Sequence, residues 1–419
     1  MTGLLVTLVA FPLIGAAISR FVGRTSSFLM GLGALGMTLH ATLLLQIPIV
    51  VTLGSLLAGA LAVLLFKRGE RWHRDEFLHP ATIVMALPCA FLLYASANIP
   101  LHDFDGRAFW LLKAKAIATE RHIDGPFFKG ETTYDPRNRY PLLIPLDAAA
   151  VMIGSRDTDD RHVRWIYPLA LIALAWHARK WIGPWPAALL PWIPQFVVTE
   201  DGGVLSAYND VIVAAFAGCA FFELLERRSP VRFGLWLAFL TLTKSEGLPY
   251  AAVLFAAGIV VFGRRILTAA APFAVAVATL LIWRSRVPPG DEEDFLARLP
   301  HLPERLDRIA PALLRLAQHA VRMDLWGLFW IATIIAAIAL LIRGRRREAA
   351  LPAYVLAAMT FVYACAFAVS AWVMNDLIDA SVDRLLMHLV IPALYLISRS
   401  VVPRPGAAAP FVSARSSAA

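Results

Sequence analysis

Long apolar runs separated by brief polar punctuation dominate the chain. Runs that can cross a bilayer as helices, at about 20 residues or somewhat fewer when packed inside protein, occupy 1–18, 27–45, 48–66, 79–98, 163–178, 184–199, 210–226, 231–244, 248–262, 267–283, 324–342, 351–372 and 385–399. This pattern predicts an all-α, polytopic membrane protein with about 11–13 transmembrane helices. The pair 231–244 and 248–262 reads either as two spans or as one long kinked helix. The apolar N-terminus, MTGLLVTLVAFPLIGAAIS, lacks the positive region of a cleaved leader and is read as a retained span. Neither an internal repeat nor a heptad pattern is present, which argues against a solenoid or a coiled coil.

Two polar segments, 101–162 and 284–323, are too long to be turns. They are read as extracytoplasmic loops of a single transmembrane domain covering 1–400. A disordered tail rich in Pro, Ala and Ser follows at 401–419. In the first loop, Arg107 to His122 contains no glycine or proline and many helix formers, so a helix is expected there. The stretch PLLIPLDAAAVMIG (141–154) reads as a short re-entrant or interfacial helix. In the second loop, leucines and an isoleucine recur at helical spacing over 302–323 with arginines between them. That amphipathic helix lies on the outer leaflet, either roofing a site or anchoring the loop in lipid.

Composition narrows the class. Of 419 residues, 59% are hydrophobic and 16% charged, against roughly one quarter charged in soluble domains. A net charge of +9 would suggest nucleic acid for a soluble protein, but topology accounts for much of it. With the N-terminus outside, twenty of the 39 lysines and arginines fall in short inner segments, and two, Lys244 and Arg384, fall in short outer loops. Positive charge opposes translocation, so this asymmetry puts the C-terminus in the cytoplasm. The expected partner is the lipid bilayer, not nucleic acid. Cys89, Cys219 and Cys365 sit far apart in apolar runs and are read as reduced packing residues, with no disulfide scaffold or zinc site.

Charge gathers at the mouth of the fourth span, DFDGRAFWLLKAK (103–115). Carboxylates there face anionic headgroups and are expensive to desolvate. Acids beside bases therefore point to a site, the cations for an anionic lipid head and a carboxylate for proton transfer. Asp105 is the candidate base and Asp103 its reserve. Arg107, Lys113, Lys115, Lys244 and Arg384 are candidate phosphate ligands, because fixed cations stabilise charge growing on a leaving group. Each lysine alone also reads as a snorkelling anchor, and Trp110 and Tyr140 as members of an interfacial aromatic belt. Arg384 reads equally as a salt-bridge partner of Asp383 or Asp379. Glu200 and Asp201 either hold a divalent cation or decorate a loop tip. Glu246, beside Lys244, is either part of the site or half of an ion couple closing a helical turn.

Asp105, Trp110, Lys113, Ala114 and Lys115, followed by Tyr140, Pro141, Leu142, Leu143 and Pro145, form the pattern D-x-x-x-x-W-x-x-K-A-K…YPLLIP. It resembles membrane glycosyltransferases of the GT-C superfamily, in the branch akin to bacterial family-39 and aminoarabinose-transferase-like enzymes. Three further blocks continue the resemblance in order: SAYND (206–210, with Tyr208 and Asp210), LTKSEG (242–247) and SVDR (381–384). The resemblance implies a multi-pass protein of the bacterial inner membrane. Its expected reaction moves a sugar from a polyprenyl-phosphate carrier to a lipid, glycan or protein acceptor at the extracytoplasmic face, with no required cofactor. The family's catalytic carboxylate maps onto Asp105. The extra acid Asp103, and Gly106-Arg107 in place of a small residue and an aromatic, leave the choice of base between the two aspartates. The rival class is a secondary transporter or flippase of a lipid-linked or anionic substrate. Such proteins show repeated halves and acids near the bilayer midplane, whereas here the ionisable residues gather at span ends.

Overall fold

Proline and glycine decide where the apolar chain stays helical and where it turns. The computed structural model describes residues 2–67, 79–132, 137–197, 202–288 and 295–401. Among these, regular structure is helical, with no strand. The helices are α1 (Thr2–Val22), α2 (Ser27–Leu44), α3 (Ile49–Phe66), α4 (Pro80–Asn98), α5 (Leu111–Glu120), α6 (Leu143–Ser155), α7 (Ile166–Ile182), α8 (Pro184–Leu189), α9 (Pro194–Val197) and α10 (Asp210–Glu226). They continue with α11 (Pro230–Thr243), α12 (Gly247–Phe262), α13 (Ile266–Arg286), α14 (Phe295–Arg298), α15 (Ile309–Ala320), α16 (Met323–Trp326), α17 (Phe329–Ile342), α18 (Arg346–Val369), α19 (Met374–Met387) and α20 (Val390–Val401). The predicted tail, together with Glu200 and Asp201, lies outside the described residues.

The chain is an all-α membrane protein. By length and composition, five stretches suffice to cross a bilayer: α2, α3, α4, the continuous Gly247–Arg286 and α18. The pair α19–α20, bent by 51°, makes a sixth. Shorter apolar helices, among them α6, α11 and α17, complete the bundle. Helix α3 is the lipid-facing extreme, with Val50, Leu65 and Phe66 exposed, as a helix bathed in acyl chains requires. At the other extreme is α10, in which every side chain from Asp210 to Leu224 is buried. A helix that is apolar all round has no face to give to water or lipid, so it occupies the centre.

Two details depart from the sequence reading, and a third settles an alternative it left open. The described part of the 184–199 run, residues 184–197, is not one continuous helix. Pro184, Pro186, Pro191 and Pro194 divide them into α8, a 3-10 turn and α9, because each proline lacks an N–H donor and crowds the preceding turn. The pair 231–244 and 248–262 is two helices, parted where Lys244 adopts an extended backbone. The segment before the last span is itself the helix α19, so Arg384 stands on a helix face and not in a loop.

Packing is closest between α1 and α2. A Cβ on Gly31 would lie 1.8 Å from the Phe11 carbonyl oxygen, and one on Gly15 would lie 1.8 Å from that of Ser27. Small residues allow this approach, which is how helices gain van der Waals contact in lipid. Gly31→Ala is expected to push the pair apart and cost about 1–3 kcal/mol, read as a lower unfolding midpoint of the detergent-purified protein. The C-terminal end of α10 is clamped separately. Arg232 binds Glu223, Glu226 (2.7 Å) and the Arg24 carbonyl oxygen (3.1 Å) there, and Lys180 reaches Glu226 at 2.5 Å.

Candidate functional site

The opposite, N-terminal end of α10 collects the charged segments. After α4 the chain runs into one wide π-type turn, Gly106–Trp110, before α5, a form that recurs at functional sites. Gly106 lies against the Ser206 carbonyl, where a Cβ would sit 2.0 Å from the oxygen. The absence of a side chain thus lets the Asp105 turn rest on the turn that opens α10. Gly202, at φ +87°, similarly leaves room for the Arg384 side chain, whose Cγ and Cδ would be 2.4 Å from a Cβ there.

Asp105 is the centre of this arrangement. Its Oδ2 accepts from Arg137 Nη1 at 2.7 Å and from Arg384 Nη1 at 3.2 Å. Its Oδ1 makes no hydrogen bond among the described residues. Its backbone N–H donates to the Tyr208 hydroxyl oxygen at 3.3 Å, and the Arg384 guanidinium covers the Tyr208 ring at 4.8 Å. Burial, and next the Asp105 carboxylate, hold the Tyr208 hydroxyl protonated well above its ordinary range. It therefore retains a proton to donate. Arg384 spends Nη2 on the Ala380 carbonyl (2.9 Å), while its buried Nε has no partner.

Beneath this lies a second group, buried except for Glu246 at its edge. Asp210 Oδ1 accepts from Lys244 Nζ at 2.8 Å and lies 3.0 Å from His388 Nε2. The other ring nitrogen of His388 is 2.8 Å from the Tyr363 hydroxyl. A neutral imidazole satisfies both contacts by donating from Nε2–H to Asp210 and accepting from Tyr363 at Nδ1. Tyr250 donates to the His388 carbonyl at 3.2 Å, and Glu246 meets Lys244 at 3.2 Å. Five helices, α10, α11, α12, α18 and α19, are thereby joined through charged or polar side chains at or beside their ends.

The remaining candidates fall in different places. Lys113 is fully buried, donates to the Arg137 carbonyl at 2.7 Å, and lies 5.8 Å from the rings of both Trp110 and Tyr140. Its location suits a support for the Arg137 turn. Trp110 packs on Tyr140 with ring centroids 5.7 Å apart. Lys115 points elsewhere, to Asp160 at 2.8 Å, and Arg107 is exposed at the surface. Two residues apart on a helix is about 200° of rotation, so Lys113 and Lys115 cannot serve one site. Asp103 is buried nearby, and its backbone oxygen accepts from Arg107 N–H. The guanidiniums of Arg137 and Arg384 both reach Asp105 Oδ2. The salt bridges weighed for Arg384 with Asp383 or Asp379 are absent. Those acids turn to His319, Arg315 and Arg322 on and beside α15.

Four members of the two groups were not among the sequence candidates: Arg137, Tyr250, His388 and Tyr363. Arg137 sits within YDPRNRYP, a few residues before the Tyr140 block. His388 lies four residues after Arg384, a same-face spacing visible once 374–388 is taken as helical.

No family model, curated protein or solved structure matches this chain. What the site can do is read from its atoms. A carboxylate with one engaged and one open oxygen can take a proton from a hydroxyl. Two guanidiniums and a phenol beside it can hold an anion.

Proposed function

We propose that the protein is an integral membrane glycosyltransferase that takes a sugar from a polyprenyl-phosphate carrier and passes it to a hydroxyl on a lipid, glycan or protein. Asp105 Oδ1 accepts the acceptor's proton as that oxygen bonds to the anomeric carbon. The bond from that carbon to the phosphate oxygen breaks, and its electron pair leaves on the carrier phosphate. Arg384 and Arg137 stabilise the departing anion. Tyr208 donates a hydrogen bond at the same place. Asp210, Lys244 and His388 hold the helices from which Arg384 and the Tyr208 turn project. No cofactor enters the step.

The observation that carries this reading is the meeting of Asp105, Arg137, Tyr208 and Arg384, from four distant parts of the chain, at one end of an apolar bundle. The positive-inside asymmetry supports an extracytoplasmic position for that end, with the N-terminus outside and the C-terminus in the cytoplasm, and the proposed membrane is a bacterial inner membrane. Incubating the purified protein with a panel of polyprenyl-phosphate sugars tests the reading. Transfer to an added acceptor, or slow hydrolysis without one, is expected from at least one donor. Inertness towards the whole panel counts against it.

One observation favours a second reading. The chain breaks at Lys244 between α11 and α12 beside a buried acid, and broken helices with buried charge occur at transporter sites. A transporter or flippase would move a lipid-linked or anionic substrate across proteoliposomes without changing it chemically, which the same panel detects.

A further inference from the structure

Away from the Asp105 cluster, the connector between α18 and α19 walls a cavity of about 440 Å³. Its other wall is the 3-10 stretch Leu299–Arg308. Met374, at the start of α19, also lines it. Arg384 lies about 15 Å farther along the same helix, so the two sites are separate.

The connector is held rigidly. Arg305 Nη1 donates to the carbonyls of Ser370 (2.7 Å) and Val369 (3.2 Å), and Trp372 N–H donates to Ser370 Oγ at 3.0 Å. Arg305 keeps Nε and Nη2 for something else. Arg308 also lines the cavity and takes part in no hydrogen bond or ion pair among the described residues. Among the described residues that line the cavity there is no carboxylate. Two arginines thus line one cavity with donors unspent on the described residues, and a phosphate's paired oxygens match the guanidinium fork.

The rim supplies the second half of the argument. Trp372 and Val373 are 61% and 67% exposed, and Leu306 beside Arg305 is 58% exposed. In a chain that lives in a bilayer, such surface meets acyl chains or the interface, where indole is favoured. An inorganic anion would leave that rim unused.

The geometry points to a binding site for the phosphodiester of an anionic glycerophospholipid, gripped by Arg308 and Arg305 with its apolar part against Trp372 and Val373. The lipid is a bound component of the fold's edge and undergoes no reaction there. It ties the connector leading into α19 to the second large loop.

The full-length protein in neutral detergent is titrated separately with phosphatidylglycerol, phosphatidylcholine and inorganic phosphate, and the lipid retained is read by native mass spectrometry. Phosphatidylglycerol is expected to bind in preference to phosphatidylcholine. Arg308→Gln should weaken that binding roughly tenfold or more, the worth of a charge-assisted hydrogen bond, with no change in melting because Arg308 has no structural partner. Trp372→Ala should weaken the lipid but not inorganic phosphate. Equal phosphatidylglycerol retention by wild type and Arg308→Gln would overturn the site. Equal affinity for phosphatidylcholine overturns the role of charge, and inorganic phosphate bound as tightly as phosphatidylglycerol overturns the lipid as its ligand.

Discussion

Asparagine at position 105 is expected to slow sugar transfer by roughly 10²–10⁴-fold, the usual worth of a positioned base, while the protein still inserts and folds. Asparagine has nearly the shape of aspartate, and its amide oxygen can still accept from Arg137 and Arg384, which hold Oδ2 at 2.7 and 3.2 Å. What it cannot do is take a proton at the position of Oδ1. Initial rates with a polyprenyl-phosphate donor, beside thermal melting of the same preparation, separate lost chemistry from lost fold. A variant that turns over at the wild-type rate removes Asp105 from the mechanism. Full loss of activity with collapsed melting would instead make it a structural anchor for the two arginines. A transporter reading predicts substrate flux that survives the change.

Lys244→Met is expected to cost more stability than any surface change, about 3–5 kcal/mol, because it strands a buried carboxylate. Asp210 has no exposed surface and depends on Lys244 for its countercharge and on His388 for a hydrogen bond. The stranded acid would have to take up a proton or draw in water, and either loosens the junction of α10 with α11, α12 and α19. Adding Asp210→Asn to Lys244→Met removes the unpaired charge, so the double variant should melt above the single one. Fluorescence-detected unfolding of the detergent-purified proteins measures both. A single variant that melts with the wild type would show that the network does not hold these helices together.

The buried pair and the Asp105 cluster were legible to different degrees. The blocks around Asp105, Tyr208, Lys244 and Arg384 stand out because charge at the end of an apolar run is costly and therefore conspicuous. Arg137 was hidden in a turn-forming stretch with several other polar residues. His388 was hidden because it falls inside the last predicted span, where a single histidine reads as an incidental core residue. Lys115 and Arg107 were grouped with the site on proximity in sequence alone. Helical rotation sends Lys115 to Asp160 and leaves Arg107 exposed.

The membrane-spanning nature of α2, α3, α4 and α18 is written locally, because a helix surrounded by lipid must satisfy the bilayer with its own side chains. The same holds for which ends carry charge, and for the proline clusters that interrupt helices. None of this needs a partner segment. The meeting of Arg137 and Arg384 at Asp105, and the pairing of Asp210 with Lys244 and His388, were decided only by folding. So was the lesson that Lys113 supports the Arg137 turn. Each depends on which distant side chains arrive within about 3 Å, where hydrogen bonds form. Hydropathy carries no record of that distance, because helices of equal apolarity can pack in many arrangements and only one brings these charges together.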